Sequence, residues 1–216
     1  MITDGTSPFG ILGVFALVGG TLVTGTPLVI SLIAGHPRSV RCFGAALLLG
    51  WAGYASLLLL VSLTSRERVL EHGQEKHICE IDCHTGYTVV GARTATTWDG
   101  RTARGRFTIV TLRVRFDSAT ISPHRGMAPL TPGERVVEVV TADGRRYRPV
   151  PDPTAIPFTR ALIPGESYAT TLVFDLPVEA PEPRLVVQVA VGFPDRLIIG
   201  GENSLLHAKT VFRLGD

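Results

Sequence analysis

The densest run of reactive side chains is His77-Ile78-Cys79-Glu80-Ile81-Asp82-Cys83-His84. Three chemistries fit it. Cys79 and Cys83 are close enough in sequence to form a disulfide in a turn, the usual fate of paired cysteines in an oxidising compartment. His77, Cys79, Cys83 and His84 are also the ligand types of zinc or copper, although four ligands this close demand a sharply folded loop. In the third reading both thiols are free and simply packed. Covalent haem attachment requires Cys-x-x-Cys-His, and here three residues separate the cysteines.

Elsewhere the chain offers little chemistry. There is no Gly-x-Ser-x-Gly elbow, no phosphate-binding glycine loop and no defensible carboxylate pair. His124 and His207 lie in loop-like sequence and read as surface residues. Cys42 reads as a small apolar residue. The expectation is a protein that is not an enzyme and carries no cofactor.

Arginine is the second feature. Of 21 basic residues only Lys76 and Lys209 are lysine. Arg93, Arg101, Arg104, Arg106, Arg113 and Arg115, set against Asp99, place five net positive charges in one stretch. Guanidinium suits interface ion pairs better than ammonium does. As a basic face, this stretch would meet anionic headgroups, an acidic partner or solvent.

The elements that position these residues follow from composition. The 216 residues are 45% hydrophobic and only 19% charged, with a mean hydropathy of +0.27. Soluble domains carry about 25% charged residues. The 21 bases against 19 acids leave no bulk charge for a nucleic-acid binder. The apolar excess sits at the N-terminal end. Residues 9–34 and 42–64 hold no acidic or basic side chain, and about 20 apolar residues span a bilayer as a helix. We therefore expect a transmembrane helical hairpin over residues 1–64. The alternative, a cleaved signal peptide, lacks a positive n-region and a cleavage site.

Arg38 and Arg41 lie between the two segments, and positive loops stay inside. Arg66 and Arg68 argue the other way. The expected topology is a two-pass protein of a bacterial inner membrane, with the N-terminus and the C-terminal domain on the periplasmic side. Ala16, Gly20 and Thr24 in the first helix, and Ala46 and Gly50 in the second, recur at a spacing of four. Such spacing lets helices approach closely in lipid. Either the two helices pack on each other through these residues, or a small face receives a larger partner. Neither span holds an ionisable residue for a proton or ion path.

Residues 65–77 read as a polar juxtamembrane linker that extends the second helix. From residue 78 to 216 the pattern becomes strand-like. Val110, Leu112, Val114 and Phe116 alternate with Thr111, Arg113 and Arg115. Asp143-Gly144 between two β-rich runs predicts a hairpin with positive φ at both turn positions. Further strands are expected in 164–177, 185–191, 197–199 and 210–214. Together these predict an extracytoplasmic antiparallel β-sandwich.

Pro164-Gly165-Glu166 followed by Leu172-Val173-Phe174-Asp175-Leu176-Pro177 resembles part of a bacterial family of exported immunoglobulin-like sandwiches. These are usually tethered by an N-terminal lipid or helix and are mostly of unknown function. The resemblance covers residues 78–214. It implies a membrane-anchored all-β protein with an immunoglobulin-like sandwich and transfers no catalytic residue. The layout also resembles subunit II of haem-copper oxidases. That subunit's copper loop carries a histidine and a methionine where this chain has Tyr87 and Val90, and it lies near the end of the β domain.

After residue 64, 19 bases face 18 acids. The functional expectation is a non-catalytic accessory subunit of a larger integral membrane complex, docked through its helices and capping it with the sandwich. The hosts named by analogy of layout are a respiratory complex or a photosynthetic reaction centre with its antenna. Expected partners are the subunits of that complex and the lipid bilayer, with no nucleic acid. The alternatives are a metal or redox carrier using His77, Cys79, Cys83 and His84, and an envelope ligand-binding sensor.

Overall fold

A computed structural model describes residues 2–4, 8–79, 84–122, 124–190 and 192–215. The elements in chain order are β1 (Ile2–Asp4), α1 (Pro8–Ile33), α2 (Pro37–Thr64), β2 (Arg68–Leu70), β3 (Glu75–Ile78), β4 (Thr85–Trp98), β5 (Arg101–Phe116), β6 (Arg135–Val140), β7 (Arg146–Tyr147), β8 (Ser167–Leu176), β9 (Arg184–Val189) and β10 (Thr210–Arg213). The chain divides into two compact units. One holds residues 1–5, 67–190 and 209–216, and the other holds 6–66 and 191–208.

The second unit is built on α1 and α2. Phe9–Ile33 and Pro37–Thr64 are each long and apolar enough to cross a membrane, by length and composition. Proline opens α2, where its missing N–H is one that no intrahelical carbonyl would have accepted. The connection is therefore shorter than the seven residues read from sequence. It is Ala34-Gly35-His36, with Gly35 at φ +68°, a conformation that glycine adopts without steric cost. Arg38 and Arg41 consequently lie in the first turns of α2 and not in a loop.

The first unit is a two-sheet sandwich. One sheet has the order β1-β3-β4-β5-β8 and the other β2-β10-β9-β6-β7. Val110, Leu112, Val114 and Phe116 of β5 are buried, as the alternation requires. Around them lie Tyr87, Val89, Leu172 and Phe174 of the same sheet, and Leu70, Val139, Leu185, Val187 and Phe212 of the other. Burying each of these large apolar side chains contributes about 1.5–3 kcal/mol. β5 forms the axis, pairing with β4 on one side and with β8 over Arg106–Arg115 on the other.

Three expectations change here. The linker 65–77 does not prolong α2. The helix ends at Thr64, and Ser65 turns to extended backbone. Residues 68–70 then pair with β10 and residues 75–78 with β4. Short stretches that pair at once with a neighbouring strand favour strand over a charged helical extension. The sandwich, whose first strand is β1, therefore resumes at Arg68 after the helices, and its β1–β3 and β2–β10 pairings are parallel within the otherwise antiparallel sheets. Secondly, Asp143-Gly144 does join β6 to β7, but only Gly144 has positive φ, at +81°. The Gly144 N–H donates to Thr141 O and the Thr141 N–H to Arg145 O, a turn closed by a left-handed glycine. Finally, Leu197–Ile199 is no strand of the sandwich. Asp195–Leu197 form a 3-10 turn within the helical unit.

Candidate functional site

Alternation along β3 places Glu75 and His77 on the face opposite Lys76. Lys76 points into the sandwich, is fully buried, and donates from Nζ to Thr210 O at 3.1 Å, linking β3 to the opposite sheet. Glu75 and His77 project outward from the sheet. Register sets His77 beside Gly86, and Gly86 beside Arg115 of β5. Gly86 has no side chain, so the Glu75 carboxylate crosses above it. A Cβ there would sit 2.5 Å from Glu75 Oε1.

The crossing completes a charge network. Arg115 donates from Nε to Glu75 Oε1 at 3.0 Å and from its terminal nitrogen to Oε2 at 2.6 Å. The same terminal nitrogen lies 3.2 Å from Asp117 Oδ2. His77 Nε2 is 3.1 Å from Glu75 Oε2 and 3.8 Å from Asp117 Oδ2, and His77 is 2% exposed. Asp117 Oδ1 also accepts from the Ala119 N–H. His84 Nδ1 is 2.7 Å from Thr120 Oγ1, and its ring stacks on Phe116.

Ligand atoms of Glu75, His77 and Asp117 all fall within 4.8 Å of one another. That spacing suits a metal, but the Arg115 guanidinium already occupies the cationic role between both carboxylates. A divalent ion would meet a fixed positive charge held by hydrogen bonds. Cys79 is disulfide-bonded, so it is not a thiolate ligand, and Cys42 is a free thiol. Cys83 lies outside the described residues. The histidine rings of the sequence cluster are thus turned to different partners, His77 to Glu75 and Asp117, His84 to Thr120. Glu75 and Asp117 were not singled out from sequence. The Glu-x-His pattern in a strand was the available signal, because it puts both side chains on one face.

Hydrogen bonds from Arg115 hold the Glu75 carboxyl below its ordinary 4.5, against the opposing effect of burial. A depressed carboxyl contributes stability that is complete above its unfolded value and lost as the pH falls through the folded one. We expect wild-type stability to fall as pH drops below about 4.5, and Glu75→Gln to flatten that part of the slope. Unfolding titrations at stepped pH read this directly, and an unchanged slope would exclude the network as its source.

The basic residues do not form one face. Arg113 and Arg115 lie on the outer side of β5, whereas Arg104 and Arg106 fall at the alternate parity. Arg115 belongs to the network above. Arg93 lies over the Trp98 ring at 5.6 Å, and Arg101 donates to Pro151 O at 3.1 Å. Backbone N–H groups of Arg104 and Gly105 both donate to Asp175, at 2.9 and 3.1 Å.

In the helical unit, Ala16, Gly20, Thr24, Ala46 and Gly50 all line one apolar groove of about 820 Å³ between α1 and α2. A Cβ on Gly20 or Gly50 would meet nothing within 4 Å. Gly20 and Gly50 are therefore not where the two helices touch. The groove's polar groups are internally satisfied. Trp51 Nε1 donates to Thr21 Oγ1 at 3.1 Å, Thr24 Oγ1 to Gly20 O at 2.6 Å, and Tyr54 OH to Leu197 O at 2.6 Å. Ile199 and Gly200 border the groove, and Gly10 admits that segment closely, since a Cβ there would lie 2.4 Å from Ile199 O. Nothing in the sequence marked residues 192–208 as companions of the helices.

No family model matches the chain, and no curated protein matches it. Among solved structures, it is similar to MPT63, described as a secreted protein from Mycobacterium tuberculosis. The two share 16% identity over 69% of this chain and 99% of that one, with a TM-score of 0.45. Assignment of the sandwich rests on its own sheets.

Proposed function

We propose that this chain is a non-catalytic accessory subunit, tethered by a two-pass helical hairpin, that receives a helix of a larger integral membrane complex in the groove between α1 and α2. The observation that carries this reading is the unfilled small-residue groove. A surface of glycine, alanine and threonine gives the close backbone approach that helix association in lipid relies on. Satisfied polar groups leave nothing there for a polar ligand to pair with.

The membrane reading is supported by the exposure of the helices. Only 6% of the most apolar window of α1 and 11% of that of α2 is buried. A core helix of a soluble protein would be mostly buried. Arg38 and Arg41 at the start of α2 favour a cytoplasmic turn, with the sandwich exported. Bioenergetic assemblies, respiratory or photosynthetic, are the hosts to search first, by analogy of layout.

Extraction from native membranes in mild detergent, separation by size and mass spectrometry test the proposal. The chain is expected to migrate with one large complex at fixed stoichiometry. Gly20→Leu with Gly50→Leu is expected to release it, with sandwich melting unchanged because both positions face open space. Migration of the wild-type chain alone, or full retention of the filled-groove variant, would overturn the reading.

A further inference from the structure

β3 covers β4 only from Thr85 to Thr88, and beyond this the Gly73 N–H reaches Val89 O. From Val90 to Trp98, β4 pairs with β5 on one side, and among the described residues nothing hydrogen-bonds to its other side. The opposite edge of the sheet is treated differently. Val150 N–H bonds Val173 O on β8, and Tyr168 OH and Thr170 Oγ1 bond the carbonyls of Pro157 and Ile156. The β8 edge is thus partly covered by residues 150–157, and the far half of β4 is open. An open edge presents a row of backbone donors and acceptors that only another extended chain can saturate.

Bulges at Val89/Gly91 and Ala95/Thr97 interrupt β4. They leave one regular window, Gly91–Ala95, opposite Phe107–Thr111. Trp98, Ala95, Ala103 and Val150 pack with Phe107, Ile109 and Val173 in a small apolar cluster, which holds this end of the hairpin in place.

Charge narrows the occupant. Arg115, Arg145, Arg146, Arg148, Arg160, Arg184 and Arg213 each pair with a carboxylate. Arg93, Arg101, Arg104, Arg106 and Arg113, all in the β4–β5 hairpin, form no close ion pair among the described residues, and Arg101 acts on the Asp152 carboxylate only at longer range. Arg68 and Arg125 of the same unit also lack an ion pair among the described residues, but the largest group of such cations lies on the two strands that carry the free edge. We propose that β4 takes an acidic extended segment of a partner protein by strand addition along Gly91–Ala95, with its carboxylates paired to the hairpin arginines. Anionic lipid headgroups would satisfy the guanidinium groups but leave the backbone edge open, so a peptide chain accounts for both features.

This proposal rests on the sandwich and is independent of the helical groove. Its test uses the full chain in nanodiscs of neutral lipid, so loss of a host complex and loss of strand addition are separate results. The probe is a synthetic Thr-Glu repeat of about ten residues, a common strand length. Expected are saturable binding and slowed amide exchange confined to the Gly91–Ala95 window. Combining Arg93→Gln, Arg101→Gln and Arg104→Gln should weaken binding by about tenfold or more. A Thr-Gln repeat, and the Thr-Glu repeat with alternate backbone nitrogens methylated, should both fail to protect the window. Four results would overturn the proposal: no saturable binding, equal protection by either control peptide, protection by phosphatidylglycerol vesicles alone, or protection that rises with protein concentration without peptide and so marks a second copy.

Discussion

Gly105→Ala is expected to lower the stability of the sandwich by about 3 kcal/mol, a melting shift of roughly 10 °C for a domain of this size. Circular dichroism melting of the full chain in mild detergent measures it. Gly105 lies just before β5 begins to pair with β8, and there the end of β8 passes directly over it. A Cβ would sit 2.1 Å from Leu176 O and 3.0 Å from Pro177 Cα. Both are backbone atoms, so no side-chain rotation relieves the clash. Moving the strand would also disturb the Asp175 carboxylate, which holds the N–H groups of Arg104 and Gly105. Gly91 supplies the contrast. A Cβ there meets nothing within 4 Å, and Gly91→Ala is expected to be neutral or slightly stabilising through the unfolded chain. Equal melting of the two variants would refute the steric account.

Lys76→Ala should cost about 3 kcal/mol, and Lys76→Met about half as much. The lysine has no exposed surface and its ammonium bonds Thr210 O across the sandwich. Alanine removes the bond, the charge and the packed stem together. Methionine keeps most of the stem volume while losing the charge and its polar contacts, so the difference between the two variants isolates the packing contribution. Urea unfolding of the three proteins separates the two effects. If methionine is as destabilising as alanine, the polar contact dominates and the packing share is wrong.

Lys76 also shows where sequence reading stops. In a run as polar as residues 65–77, nothing local says that one lysine faces a core, because its burial depends on pairing with strands far along the chain. β2 and β3 are three and four residues long, too short for a period to register. The long features were legible. Two uncharged apolar stretches marked the helices, and alternation in β5 marked the sandwich core. The small residues at spacing four were visible too, but whether they faced each other or an open groove is a property of helix rotation, which spacing alone does not set. The hairpin arginines carry a signal in their spacing. Their positions already assign Arg104 and Arg106 to the opposite parity from Arg113 and Arg115.

The position of β10 has a consequence for how the protein is made. In the second sheet β10 lies between β2 and β9, so a strand made late in synthesis occupies an interior place. β2 emerges soon after the helices and then waits from Leu70 until Thr210 for its partner. At about 5–20 residues per second, that interval is on the order of ten seconds. Throughout it β2 is an open edge, and once β9 has been made its facing side is open as well until Thr210 follows. The sheet closes like a zipper whose slider arrives last, and the growing chain must be shielded from strangers until it does.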